Sequence, residues 1–282
     1  VPNQIDTEAM ADENKTNEAH LRNEKSGPLK YPQLVLGMLA IFVYVGVEVS
    51  TASNLPEFMK QHLMVDGKPF PTERMAPYIS LFWASLMIGR WTGAAGAFDV
   101  NAGLRKMLQF LMPYLAFGVF LGVNKIANHD ITPFYLYALV ITVMIAGDIL
   151  SKGNPARQLL IFSMMGIAAL FVGMLSDGMI SVYAFISVGL FCSTLWPCIF
   201  TLAVAGLGKH TNEGASLLIM MIMGGGVISL LQGFVADELL GIQWSYLVGV
   251  ACFAYLAFYG IRAKALLKEQ GIDYDQKRSA AH

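Results

Sequence analysis

Hydrophobic positions in this chain fall in long unbroken runs, with no strict alternation and no narrow amphipathic stripe. From Tyr31 onward eight apolar segments stand out, at roughly 33–55, 76–98, 106–123, 133–150, 157–175, 180–206, 214–236 and 244–266. Each approaches or exceeds the length of about 20 residues that a helix needs to cross a hydrocarbon core, with allowance for tilt. Transmembrane strands would be about 10 residues long and would alternate. The pattern therefore predicts an all-α integral membrane protein with about eight transmembrane helices. Residues 1–30 are polar, rich in Asn, Glu and Lys, and have no apolar period. Such a segment buries too little apolar surface to order itself, so it reads as a disordered linker, with residues 269–282 as a polar tail. The chain opens on Val1-Pro2 without a basic-then-apolar leader, and is expected to be part of a longer protein.

Composition agrees with this pattern. The 282 residues are 55% hydrophobic and 14% charged, with mean hydropathy +0.53, whereas soluble domains carry about 25% charged residues. A net charge of −1 offers no basic surplus for nucleic acid. Cys192, Cys198 and Cys252 lie in apolar runs without metal spacing and read as small membrane-buried side chains. No nucleophile–base pair or metal cluster marks an enzyme.

Basic residues set the orientation. With eight spans, the side of the N-terminal segment receives fourteen Lys and Arg and the opposite side four, with Arg90 at a boundary. That bias places both ends of the chain in the cytoplasm, in a cell (inner) membrane.

The first segment carries a carboxylate, Glu48, well inside an apolar run. An ionisable group there costs at least about 2.5 kcal/mol and usually faces a bundle interior or a wet cavity. Tyr44 and Thr51 share its helical face, and Gly37 and Gly46 allow close helix contact. Gly89-Arg90-Trp91-Thr92-Gly93 ends the second segment. Arg90 there is suited to binding terminal carbonyls, pairing with Asp99 across the turn, or snorkelling to the interface, while the glycines permit close approach. Pro197 lies mid-segment after Trp196 and is expected to kink its helix. The flat indole of Trp196 suits either a sugar ring or a neighbouring helix. Gly224-Gly225-Gly226 has no phosphate-loop context and reads as tight packing or a flexible joint. Gln232 is a buried amide for hydroxyls or for an interhelical bond. Asp148 has Lys152 as an i+4 partner. Asp237 and Glu238 are expected to end the seventh helix in solvent. His62, His129 and His210 are isolated, without metal spacing.

FVYVGVEVSTASN, IGRWTG, WPCIFTLAVAGLG and GASLLIMMIMGGGVISLLQGFVAD follow one another in that order. Together they resemble the C-terminal half of major facilitator superfamily sugar–proton symporters, in the fucose–galactose–glucose branch of L-fucose permease type. The resemblance covers Tyr31 to about Lys268, except for an inserted helix pair at about 106–150. It implies proton-coupled uptake of a hexose or deoxyhexose by alternating access of two six-helix halves. The proton is the coupling ion and no other cofactor or metal is implied. By position it makes Glu48 a substrate-binding and proton-coupling candidate. It also sets Asn54 near the outer cavity mouth and Trp196 in the aromatic position before Pro197. The partners implied are a small sugar, the bilayer and an N-terminal six-helix half that this chain lacks. Leu230 stands where many relatives have proline. A membrane sugar sensor that keeps the fold, or a transporter of another small solute, is the alternative.

Overall fold

The computed structural model describes residues 27–65, 67–95 and 101–275. Most of the expected linker, Asp99 and the last seven residues lie outside the described residues. Pro28–Lys30, expected to be disordered with the linker, forms a 3-10 turn with proline at its start, where the missing N–H costs nothing.

The described residues are almost all helical. Helix α1 is Pro32–His62, α2 Ala76–Ala95, α3 Ala102–Ile126, α4 Tyr137–Ser151, α5 Pro155–Leu175, α6 Met179–Cys192, α7 Leu195–Val204, α8 Thr211–Met220, α9 Gly224–Phe234, α10 Gly241–Ser245 and α11 Leu247–Glu269. A two-stranded hairpin, Met64–Val65 with Lys68–Pro69, follows α1. Among the described residues, seven stretches are long and apolar enough to span, among them Met179–Val204, which joins α6 to α7, and Gly208–Ser245, which contains α8 to α10. The eighth expected span is present as α2, 20 residues long, but it is not among the seven. Arg90, Ser80, Ser85, Thr92 and two tryptophans dilute its apolar character. A helix that borders a polar cavity tolerates that dilution.

Helix α1 is the hub. It contacts α6, α7, α9 and α11 along its length, and Ile41, Val47 and Leu55 are fully buried. Its glycines bring the neighbours close. A Cβ on Gly37 would lie 2.6 Å from that of Ala203, and one on Gly46 2.7 Å from that of Ile228. From the other side, a Cβ on Gly224 would lie 2.6 Å from the Phe42 carbonyl carbon, and one on Gly225 3.1 Å from Val49. In lipid, where apolar burial drives helix association little, such close backbone approach supplies the van der Waals contact that holds helices together. Gly226 differs, because nothing lies within 4 Å of its Cβ position. Tight packing therefore belongs to the first two glycines of the triplet.

Two spans are interrupted. The expected kink at Pro197 sits upstream, where helix is lost at Ser193–Thr194 and α7 begins at Leu195. Pro197 has no N–H for the Ser193 carbonyl, and the next bond, Cys198 N–H to Thr194 O, is stretched to 3.4 Å. Proline thus occupies the first turn of a new helix, where it is tolerated. The seventh span passes through a 3-10 turn at Met221–Met223 and a π-helical stretch at Val235–Leu240. Asp237 and Glu238 are exposed but do not end the segment, which runs on into α10 after Gly241 turns the chain at φ +76°.

Helices α3 and α4 dock on the outside. The Tyr137 and Ser85 hydroxyls lie 2.7 Å apart, Tyr183 donates to the Pro133 carbonyl at 2.6 Å, and Phe120 and Tyr78 meet Phe134 edge to face. Asp148 accepts from the Gln158 amide at 3.1 Å rather than pairing with Lys152. Lys152 leaves the helix at φ +52°, which turns it away from the i+4 geometry the sequence offered.

Gly224→Ala drives a methyl into the Phe42 backbone and is expected to destabilise the bundle by about 1–3 kcal/mol. Gly226→Ala meets open space and is expected to be neutral or slightly stabilising. Thermal unfolding of the two variants in detergent compares them directly. Equal losses would contradict the close α1–α9 approach.

Candidate substrate cavity

Glu48 is residue 17 of the 31 in α1, so helix length alone sets it about 24 Å from the start of the helix and about 21 Å from its end. Its side chain is half-buried, and Oε2 is buried with no hydrogen-bond partner. It lines a cavity of about 270 Å³ together with Trp83, Leu86, Met87, Arg90 and Trp91, all five from α2. These positions fall at i, i+3, i+4, i+7 and i+8, one face of a single helix. Arg90 acts electrostatically on Glu48, yet its guanidinium makes no hydrogen bond to Oε2. The carboxylate, the arginine and two indoles thus border one space. Arg90 is exposed and borders the cavity that Glu48 lines. The expected partner Asp99 lies outside the described residues.

Position 90 depends on a close approach. A Cβ on Gly89 would lie 2.5 Å from that of Ser193, so the glycine lets α2 pack against the break between α6 and α7. Gly93 has no neighbour within 4 Å of its Cβ position and serves no such contact. It lines a second cavity with Thr194, Pro197 and Cys198.

Tyr44, one turn before Glu48, is almost fully buried, and its hydroxyl has no hydrogen-bond partner. It stays within electrostatic range of Glu48 without meeting hydrogen-bond geometry. Trp196 packs edge-on against the Tyr44 ring, with centroids 6.1 Å apart. That contact joins Trp196 to the carboxylate through Tyr44, while Trp83 and Trp91 border the cavity itself. Thr51, on the same face of α1, also keeps an unpaired buried hydroxyl. Three neighbouring turns thus carry polar oxygens that α1 cannot satisfy, although buried polar groups are normally paired.

Asn54 and Gln232 stand apart from this group. The Asn54 amide donates to the Ser50 carbonyl of its own helix at 2.8 Å. Gln232 is fully buried; its amide donates to the Ser245 hydroxyl at 3.3 Å, and its Oε1 has no partner. Neither lines the Glu48 cavity. The cavity residues that motif reading missed are Trp83, Leu86 and Met87, and its signal was the spacing of both tryptophans with Arg90 on one helical face.

No protein-family model matches the chain. A glucose/galactose transporter of Brucella abortus is 30% identical over 245 residues, covering 86% of this chain and 46% of the relative. A putative glucose/galactose transporter of Helicobacter pylori is 26% identical over 236 residues. The L-fucose–proton symporter of Escherichia coli is 28% identical over 111 residues, 39% of this chain and 25% of the relative. The chain spans about half the length of the curated relatives it matches. Among solved structures, the major facilitator superfamily transporter FucP in its outward conformation aligns with TM-score 0.58 at 19% identity, over 82% of this chain and 42% of that one. The chain therefore has the fold of part of a major facilitator superfamily transporter.

Because the Tyr44 hydroxyl lies in range of Glu48 without meeting hydrogen-bond geometry, Tyr44→Phe is expected to change thermal stability little. Tyr137→Phe breaks the bond to Ser85 and is expected to cost about 0.6 kcal/mol, the usual worth of an interhelical bond in membranes. Thermal unfolding of the two variants side by side checks this, and a larger loss for Tyr44→Phe would contradict an unpaired Tyr44.

Proposed function

We propose that this chain, a homologue of glucose/galactose transporters and L-fucose–proton symporters with the major facilitator superfamily fold, is the C-terminal half of a proton-coupled hexose or deoxyhexose transporter. Transport then proceeds by alternating access, with this half rocking against an N-terminal half about a site near the bilayer midplane. The membrane is the cell's inner membrane, and both ends of the chain face the cytoplasm, in line with the bias of basic residues.

The observation that carries the reading is the half-buried Glu48 carboxylate, whose Oε2 is buried and unsatisfied, lining one cavity with Arg90, Trp83 and Trp91. A pyranose presents hydroxyls at its rim and C–H groups on its faces. The ionised carboxylate accepts from hydroxyls, and the guanidinium donates to hydroxyl oxygens. The indoles offer flat apolar surface with an N–H at the edge. At about 270 Å³ the cavity lies near the lower limit for small-molecule sites, and the second half completes its wall. A protonated carboxyl donates a hydrogen bond where the carboxylate accepts one. Protonation of Glu48 therefore changes both its pull on Arg90 and its contact with sugar, and this is the link by which a proton gradient drives uptake. Tyr44 and Trp196, whose rings meet edge to face, support Glu48 from the surrounding shell; Asn54 and Gln232 bond elsewhere and take no part in it.

The test is uptake of a labelled hexose panel into vesicles carrying the complete transporter. Accumulation should collapse when the proton gradient is dissipated. Arg90→Gln should raise the apparent KM about tenfold to a hundredfold, the loss of one charge-assisted hydrogen bond. Glu48→Gln should abolish gradient-driven accumulation while leaving equilibrative exchange measurable. Normal accumulation by Glu48→Gln would exclude it as the coupling group, and inserted protein without hexose uptake would overturn the sugar assignment.

A further inference from the structure

At the end of the bundle where α1 begins, the chain does not leave the membrane domain directly after α11. Residues Gln270–Asp275 fold back across that end and are held at two points. The side-chain amides of Gln270 and Gln33 pair reciprocally, at 3.1 and 3.0 Å, and Gln33 also donates to the Ala205 carbonyl at the end of α7 at 3.1 Å. Five residues on, the Asp275 carboxylate gathers Lys264 of α11 at 2.7 Å, the Asn154 amide at 2.8 Å and Arg157 of α5 at 3.6 Å. The same Asn154 caps α5, its oxygen accepting from the Ala156 and Arg157 N–H groups. The Lys264 ammonium holds the Asp275 carboxyl below the usual carboxylate range, so the charge persists at neutral pH.

Between the two anchors, Tyr274 forms part of the wall of a cavity of about 360 Å³, shared with Gly93, Thr194, Pro197, Cys198 and Gln158. This is the cavity behind the break in the α6–α7 span. It lies one turn of α2 from Arg90, and the buried Thr194 hydroxyl inside it has no partner. Polar groups left open beside broken backbone within a membrane domain belong where water can enter.

We infer that Gln270–Asp275 is a releasable strap over a water-accessible vestibule in this half, with Tyr274 as its cover and the Asp275 ion cluster as its catch. Closed, the strap ties α1, α5, α7 and α11 together at one end. Each contact of the catch is partly exposed, and exposed pairs of this kind are weak singly. A catch built from them opens without disturbing the buried helix contacts. Release frees the ends of α5 and α7 to separate and admits water to Thr194 and Cys198.

The three native cysteines report on this directly. All three are free and buried, and only Cys198 lines the vestibule. The measurement is the rate of N-ethylmaleimide labelling at each cysteine, resolved by peptide mass spectrometry, for the full chain in membrane vesicles. When opening is fast, the rate follows the population of the open form. Asp275→Ala should raise labelling of Cys198 about three- to fivefold, the population change that follows loss of roughly 1 kcal/mol. Cys192 and Cys252 should keep their rates. Gln270→Ala, at the other anchor, should act in the same direction, and Asp275→Glu should restore protection. An unchanged Cys198 rate in both alanine variants would overturn the strap. A parallel rise at all three cysteines would do so too, because it would mean that the tail stabilises the whole bundle rather than covering one cavity.

Discussion

A charge held at mid-depth in an apolar helix is the constraint around which this bundle is arranged. Glu48 cannot be satisfied by α1 itself, whose backbone bonds are already used. Placing such a carboxylate in a lipid-facing position is costly, so α1 sits centrally, in contact with seven other helices among the described residues. The cation comes from α2, and α2 reaches its place because Gly89 has no side chain to strike Ser193. The glycines along α1 and α9 have the same consequence on the opposite side. They draw the helices together, so that packing contact offsets the strain of an interior that carries unpaired polar oxygens. Stability is surrendered at Tyr44, Glu48 and Thr51 and supplied by Leu34, Ile41, Val47 and Leu55, all fully buried.

Irregular backbone falls where this arrangement permits it. The Ser193–Thr194 break faces the second cavity, and the 3-10 turn at Met221–Met223 adjoins the close α1–α9 crossing. Non-helical backbone at membrane depth is tolerated only against protein or water, and the break opens onto such a cavity. Helices α3 and α4 obey the same logic from outside. They are held by an aromatic cluster around Phe134 and one hydroxyl pair, and α1 does not depend on them.

The helices were legible because apolar runs of span length have few alternative explanations. The eight expected segments and the helices agree to within a few residues, apart from the extended ends of α1 and of the seventh span. The cavity was partly legible. Glu48 announced itself as a lone carboxylate, and Arg90 as a lone cation beside glycines. Their meeting was not visible, because it depends on the rotation of α2 against α1, which Gly89 and Ser193 set across a hundred residues of sequence. For the same reason Trp196, next to a conspicuous proline, drew attention that Trp83 and Trp91 share. The strap left no pattern at all. Gln33 and Gln270, or Asn154 and Asp275, are ordinary polar residues until the chain returns to the end from which it started.

A stability cycle on Glu48 and Arg90 probes the account at its root. Arg90→Gln is measured once in the native chain and once in a Glu48→Gln background, by thermal or denaturant unfolding in the same detergent. If the two charges face each other across the cavity, removing the guanidinium strands a half-buried carboxylate only in the native background. Arg90→Gln should then cost about 1 kcal/mol or more beyond its cost in the Glu48→Gln background, within the range of coupling between interacting groups. The same cost in both backgrounds would mean that the charges do not interact, and the cavity would lose the feature on which its chemistry rests.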